Sequence, residues 1–151
     1  MNRHILHLDL DTFFVSCERI ADSTLNNKPV IVGGTGDRGV VSAASYECRK
    51  FGVHSGMPMK MARQLCPQAV YIRGNASTYT KFSKMVTEIL QQEVPVLEKS
   101  SVDEFYADLT GMDRFFGCYK FASELRRRVI KETGLPISFG LSINKTVSKV
   151  A

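Results

Sequence analysis

From His4 to Leu10 the chain alternates, with Leu6, Leu8 and Leu10 on one side of an extended segment and Ile5, His7 and Asp9 on the other. The pattern predicts a strand with one greasy face and a second face that ends in a carboxylate. Asp11 then reads as the N-cap of a helix over Thr12–Ile20. Pro29–Gly33 and Val40–Ala44 are apolar runs around the glycine-rich stretch Gly33–Gly39, which predicts a hairpin. A short helix over Ser45–Phe51 is stopped by Gly52, and another runs over Pro58–Leu65 with proline in its first turn. Ala69–Ile72 is a short predicted strand.

The second half carries longer periods. Ser77–Val94 is amphipathic at helical spacing, with Phe82, Met85, Val86 and Ile89 predicted inward. Val96–Ser101 and Glu104–Leu109 are predicted strands with Val102-Asp103 at their junction. Tyr119–Lys131 is a helix with Ala122, Leu125 and Val129 inward, and Ile137–Ser142 is a strand. A last helix from about Asn144 is still running at Ala151 without a stop signal, which predicts that the sequence continues. The first strand, the two central strands, the last strand and the two long helices give the order βαββαβ. The predicted fold class is therefore α+β, a ferredoxin-like split βαβ arrangement, with a small α/β insertion from about Arg19 to Ala76.

Composition narrows the class. At 151 residues, 44% hydrophobic and 23% charged, the chain is not disordered, and its length suits one domain with room for two lobes. Twenty Lys and Arg against fifteen Asp and Glu leave +5, which permits a polyanionic partner. No apolar run approaches the roughly 18 residues of a membrane span, so no membrane partner is expected. The start lacks the long apolar stretch of a signal peptide. Cys17, Cys48, Cys66 and Cys118 form no C-x-x-C pair, so reduced thiols and a cytoplasmic location are expected.

Chemistry concentrates at Asp9, Asp103 and Glu104. Asp9 ends the first strand, and Asp103-Glu104 sits where the two central strands meet. In a ferredoxin-like sheet the first strand can lie beside that hairpin, so the three carboxylates can converge. Clustered carboxylates resist ionising unless a cation sits among them, and hard oxygen donors suit Mg²⁺. Two such ions can activate an attacking hydroxyl and stabilise a leaving phosphate. A regular strand would put Asp103 and Glu104 on opposite faces, so a turn or bulge is expected there. The alternative is that these acids simply face solvent.

Tyr46 and Arg49, at i and i+3, share a helix face and could clamp a phosphate. Lys145 and Lys149, at i and i+4, offer a second basic face. For both pairs the competing reading is a solvated surface. Phe13 and Phe14 follow the carboxylate strand; adjacent Phe residues are usually core, but one could wall a pocket beside Asp9. The Gly33–Gly39 stretch is not a P-loop. Arg126, Arg127 and Arg128 read as a solvated helix face. His7 shares the Asp9 face but has no second ligand at metal spacing.

Four stretches in order resemble one family: Leu8-Asp9-Leu10-Asp11-Thr12-Phe13-Phe14, Ala44 to Val53, Ser101-Val102-Asp103-Glu104-Phe105-Tyr106-Ala107-Asp108, and Gly140 to Ala151. Together they resemble the Y-family translesion DNA polymerases, of the bacterial DNA polymerase IV type. The resemblance implies a palm from residues 1–18 and 77–151 and fingers from 19–76. The family's thumb and little-finger domains have no counterpart within the 151 residues. It implies that Asp9, Asp103, Glu104 and the Leu10 carbonyl bind two Mg²⁺ ions. It implies that Phe14 is the steric gate against a ribose 2′-hydroxyl, with Phe13 beside it. Tyr46, Arg49 and Lys149 would bind the triphosphate, and Ser42 would roof the nascent base pair. Partners so implied are primer–template DNA, an incoming deoxynucleoside triphosphate and, for the full-length protein, a sliding clamp; the fragment alone would be a monomer with little activity.

Departures are Ala43 where the family often has Thr, Ser45 and Cys48 for the commoner Asn and Ala, and bulky Phe105 after Asp-Glu. Two rivals share the fold. A diguanylate-type cyclase would show a Gly-Gly-Asp-Glu-Phe-type turn, but Ser101-Val102 precede Asp103-Glu104 here. An RRM would carry aromatic RNP1 residues on the central strands rather than three acids.

Overall fold

The computed structural model describes residues 4–34, 36, 38–110 and 117–142. Its elements are β1 (Ile5–Leu10), α1 (Phe13–Ala21), a 3-10 turn (Ser23–Leu25), β2 (Val30–Gly33), β3 (Val41–Ala44), α2 (Tyr46–Arg49), α3 (Met59–Leu65), β4 (Val70–Ile72), α4 (Ala76–Glu93), β5 (Val96–Lys99), β6 (Glu104–Asp108), α5 (Cys118–Thr133) and β7 (Ile137–Ser142). The helix expected from Asn144 lies outside the described residues. Two compact units are formed, one from Met1–Asp11 with Thr80–Ala151 and one from Thr12–Tyr79, so α1 groups with the second unit.

The first unit is a four-stranded antiparallel sheet in the order β5-β6-β1-β7. This is the ferredoxin-like order the βαββαβ pattern predicts. β1 sits inside the sheet with partners on both edges, and Leu6, Leu8 and Leu10 are buried as their alternation requires. Ile5 and His7, on the other face, are buried too, and of β1 only Asp9 is exposed. α5 buries Ala122, Leu125 and Val129, and Gly134 at φ 78° ends it in the left-handed region. In α4 Val86 and Ile89 are buried as expected, but Ser83 and Leu90 are buried with them, while Phe82 and Met85 are only half-buried. The Ser83 hydroxyl donates to the Val102 carbonyl at 2.6 Å and so occupies an inward position that an apolar count passes over.

The arginine run is an exposed face as expected, with Arg126 and Arg127 exposed and Arg128 half-buried, yet two of its members make specific bonds. Arg126 Nε donates to the Ile137 carbonyl at 2.9 Å, and Arg128 reaches Glu93, Gln92 and Glu132.

The second unit is a three-stranded sheet in the order β3-β2-β4. β2 and β3 form the expected hairpin, and β4 joins β2 in parallel. The free edge of β3 is closed by residues 56–58: Val41 N–H donates to the Met57 carbonyl at 2.9 Å, and Gly56 N–H to the Val41 carbonyl at 2.8 Å. A Cβ on Gly33 would stand 2.4 Å from the Val40 carbonyl oxygen, so only glycine fits where this hairpin bulges. The core is Ile31, Val41, Ala44, Cys48, Val53, Met57, Met59, Ala62 and Cys66.

Candidate functional site

The carboxylates of the first unit are brought together by strand register. Asp9 of β1 lies opposite Glu104 of β6. Directly opposed residues share a face, with Cβ atoms about 4.5–5.5 Å apart. Asp103 is not in the strand. β6 starts at Glu104, whose carbonyl accepts the N–H groups of Ser100 and Ser101 at 2.9 and 3.2 Å and closes a tight turn over residues 100–103. The Asp103 carbonyl accepts from Leu10 N–H at 2.8 Å, so the turn is stitched to the end of β1, and Ser101 Oγ donates to Asp103 Oδ1 at 2.9 Å. A turn, rather than a bulge, frees Asp103 from strand alternation.

The electrostatics register the crowding. Although Asp9 is exposed, surrounding protein strips water from its carboxyl and pushes it above the ordinary carboxylate range. Asp103 pushes the same way, His7 pulls against it, and Glu104 and Asp11 add smaller upward pushes. Among the described residues, no three of His, Cys, Asp and Glu stand as a ready-made metal-ligand set.

His7 is what the sequence reading missed. It is 5% exposed, and its Nε2 donates to Glu104 Oε1 at 2.8 Å. Tyr106 packs its ring 4.9 Å from the imidazole and places its hydroxyl 3.5 Å from the same Glu104 oxygen. The available signal was that His7 shares a face with Asp9; its partner is 97 residues away, beyond any local spacing rule. Asp11 also departs from expectation. Both of its carboxylate oxygens accept from Ser138 Oγ, at 2.9 and 2.7 Å, so it does not cap α1. The N-cap is Thr12, left-handed at φ 42°. Phe105, opposite Leu8, is fully buried on the face of the sheet away from Glu104.

In the second unit, Phe13 is buried and Phe14 half-buried. Phe14 stacks on Tyr79 with ring centroids 4.5 Å apart, and the Tyr79 hydroxyl donates to Glu18 at 2.8 Å. No sequence pattern singled out Tyr79. Tyr46 and Arg49 share a face of α2 as expected: the guanidinium carbon lies 4.7 Å from the Tyr46 ring centre, and Arg49 Nε donates to the Ala44 carbonyl at 3.1 Å. Ser42 is an exposed position of β3 whose carbonyl accepts from Ser55 Oγ at 3.1 Å. Ser45 and Cys48 serve the interior. Ser45 Oγ accepts from Val30 N–H at 2.9 Å and donates to Cys48 Sγ, and that thiol donates to the Val30 carbonyl. Lys149 and Lys145 lie outside the described residues.

A profile of the impB/mucB/samB family matches residues 8–151. The chain is 46% identical over 151 residues to DNA polymerase IV of Dehalococcoides mccartyi, covering 99% of the chain and 39% of that protein. It is 46% identical over 146 residues to DNA polymerase IV of Treponema denticola, covering 96% of the chain and 37% of that protein. Among solved structures, the insertion ternary complex of Dbh DNA polymerase superposes with a TM-score of 0.92 at 28% identity, over 97% of this chain and 44% of that one. DinB from Sulfolobus solfataricus gives 0.91, also at 28% identity, with the same coverage. The chain thus spans about 39% of the first of these relatives.

Proposed function

Because the chain belongs to the impB/mucB/samB family, we propose that it is the N-terminal catalytic part of a DNA-directed DNA polymerase of the translesion type. The reaction is nucleotidyl transfer from a deoxynucleoside triphosphate to a primer 3′-hydroxyl. The observation that carries this reading is the pairing of Asp9 with Glu104 across β1 and β6, with the Asp103 turn bonded to Leu10.

The donor set fits divalent cations. All its side chains are hard oxygen ligands, and the lost hydration and neighbouring acids that push Asp9 upward both disfavour a bare carboxylate, which a cation would stabilise. Asp9, Asp103, Glu104 and the Leu10 carbonyl would hold them. Two bound Mg²⁺ ions would lower the pKa of the primer hydroxyl and balance charge on the departing pyrophosphate. The rest falls to the chain's own residues. Arg49, held at Nε by Ala44 and stacked on Tyr46, offers a preorganised cation for triphosphate oxygens, with Tyr46 and Lys149 as further donors. Phe14, braced by Tyr79, stands against a ribose 2′-hydroxyl, with Phe13 in the core behind it. Ser42 lines the nascent base pair.

Primer–template DNA is the proposed partner, with a sliding clamp for the full-length protein and a monomeric state for the fragment. Four buried free thiols suit a reducing compartment, and we place the protein in the cytoplasm. No helix among the described residues is long and apolar enough to cross a membrane. The test is primer extension by the full-length protein carrying Asp103→Ala. Extension is expected to vanish while the melting temperature holds, and near-normal extension would overturn the assignment.

A further inference from the structure

We infer that His7 is a positioning residue for Glu104, tying down one carboxylate oxygen so that the other is left for the divalent cation proposed for Asp9, Asp103 and Glu104. The inference rests on the catalytic reading above and extends it to a residue with no role there. Three observations converge.

The first is register. Asp9 faces Glu104 and His7 faces Tyr106, so His7 is the diagonal neighbour of Glu104 on the face that carries Asp9. The second is the contact itself. His7 Nε2 lies 2.8 Å from Glu104 Oε1, with the histidine side chain 6% and the glutamate side chain 20% exposed. The third is burial: the histidine is 5% exposed, and Tyr106 packs its ring 4.9 Å from the imidazole. A glutamate at a strand end has three rotors. Tied to a buried ring, it presents one arrangement, and the ordering cost is met when the protein folds rather than when the cation binds. An outer partner of a carboxylate ligand typically sets metal affinity by 10–100-fold.

A histidine that merely fills the interior would be replaceable by any residue of similar size. One that positions Glu104 needs an N–H at the Nε2 position. His7→Gln supplies it, since the glutamine amide reaches as far as Nε2. His7→Asn keeps the amide but stops short, and His7→Leu fills space without a donor. In the full-length protein, bound Mn²⁺ is counted by paramagnetic resonance on a complex stalled with a dideoxy-terminated primer and a deoxynucleoside triphosphate. Extension kinetics are measured in parallel. The expected result is Mn²⁺ binding weakened about tenfold by His7→Leu and His7→Asn, with kcat reduced and the nucleotide KM little changed. His7→Gln should stay within about threefold of the parent.

Parental Mn²⁺ affinity in His7→Asn, or His7→Gln as weak as His7→Asn, overturns the inference even if the leucine variant fails to fold. Asp103→Ala runs alongside. If it loses Mn²⁺ and the His7 variants do not, the positioning role alone falls. If Asp103→Ala keeps parental Mn²⁺ affinity, the catalytic assignment falls and takes this inference with it.

Discussion

Replacing Phe105 by alanine isolates how much the sheet beneath the carboxylates depends on one ring. The side chain is 0% exposed and lies opposite Leu8, itself 0% exposed. Losing a fully buried Phe side chain forfeits roughly 1.5–3 kcal/mol of transfer free energy. The cavity adds about 24 cal/mol per Å³ that the surroundings fail to refill, or ~1.5–2 kcal/mol for a void of about 60–80 Å³. Lys99 Nζ, 5.8 Å from the ring centre, adds no more than about 0.5 kcal/mol at that long separation. The sum is about 3–5 kcal/mol. For a chain of this size each kcal/mol moves the melting temperature by about 2–4 °C, so a fall of roughly 12 °C is expected by calorimetry. Phe105→Leu, which restores much of the volume, should cost about 1–1.5 kcal/mol. Because the ring faces away from Glu104, Phe105→Leu in the full-length protein should leave the nucleotide KM unchanged. A melting temperature for Phe105→Ala within about 3 °C of the parent would refute the packing argument, and a several-fold KM change in Phe105→Leu would refute the facing argument.

Phe14→Ala in the full-length protein should raise ribonucleotide incorporation severalfold relative to deoxyribonucleotide, read by primer extension at equal concentrations; an unchanged preference would remove the gate role. Burial raises the Cys17 thiol to about 12 and the Cys48 thiol to about 11, so the thiolate fraction at pH 8 is negligible in the folded chain. Native protein should therefore resist alkylation at both sites until denaturant is added, and rapid native labelling of either would contradict the burial. The isolated 151 residues should extend a primer far less than the full-length protein at low salt, because few phosphate contacts hold the 3′-hydroxyl in place; comparable extension in a gel assay would put DNA binding in this piece.

What the sequence could reveal followed the range of the interaction. β1 was legible from alternation because each leucine reports its own face, and α5 from its Ala122, Leu125 and Val129 spacing. The β5–β6 hairpin was legible as two strands meeting at Val102-Asp103, and the conflict between Asp103 and Glu104 correctly demanded an irregularity, although its kind depended on Ser100 and Ser101 sharing one carbonyl. Ser83 escaped because a hydroxyl that finds a carbonyl is as buriable as a methyl. Asp11 looked like a cap because its nearest backbone donors were the only ones sequence could offer; Ser138 competes from 127 residues away. His7 escaped for the same reason, since a histidine and a glutamate 97 positions apart meet only once β1 and β6 pair.

The central place of β1 also has a cost in time. Leu8 takes its neighbours from Phe105 and Phe139, so β1 cannot be paired on both edges until the ribosome has made more than a hundred further residues. At about 5–20 residues per second that wait is on the order of ten seconds. Thr12–Tyr79, with its own sheet and core, is contiguous and can close during the interval. The nascent chain thus carries Leu6, Leu8 and Leu10 unsheltered while a finished unit trails behind them. Three adjacent strand leucines with open edges are a template for mispairing between chains on neighbouring ribosomes.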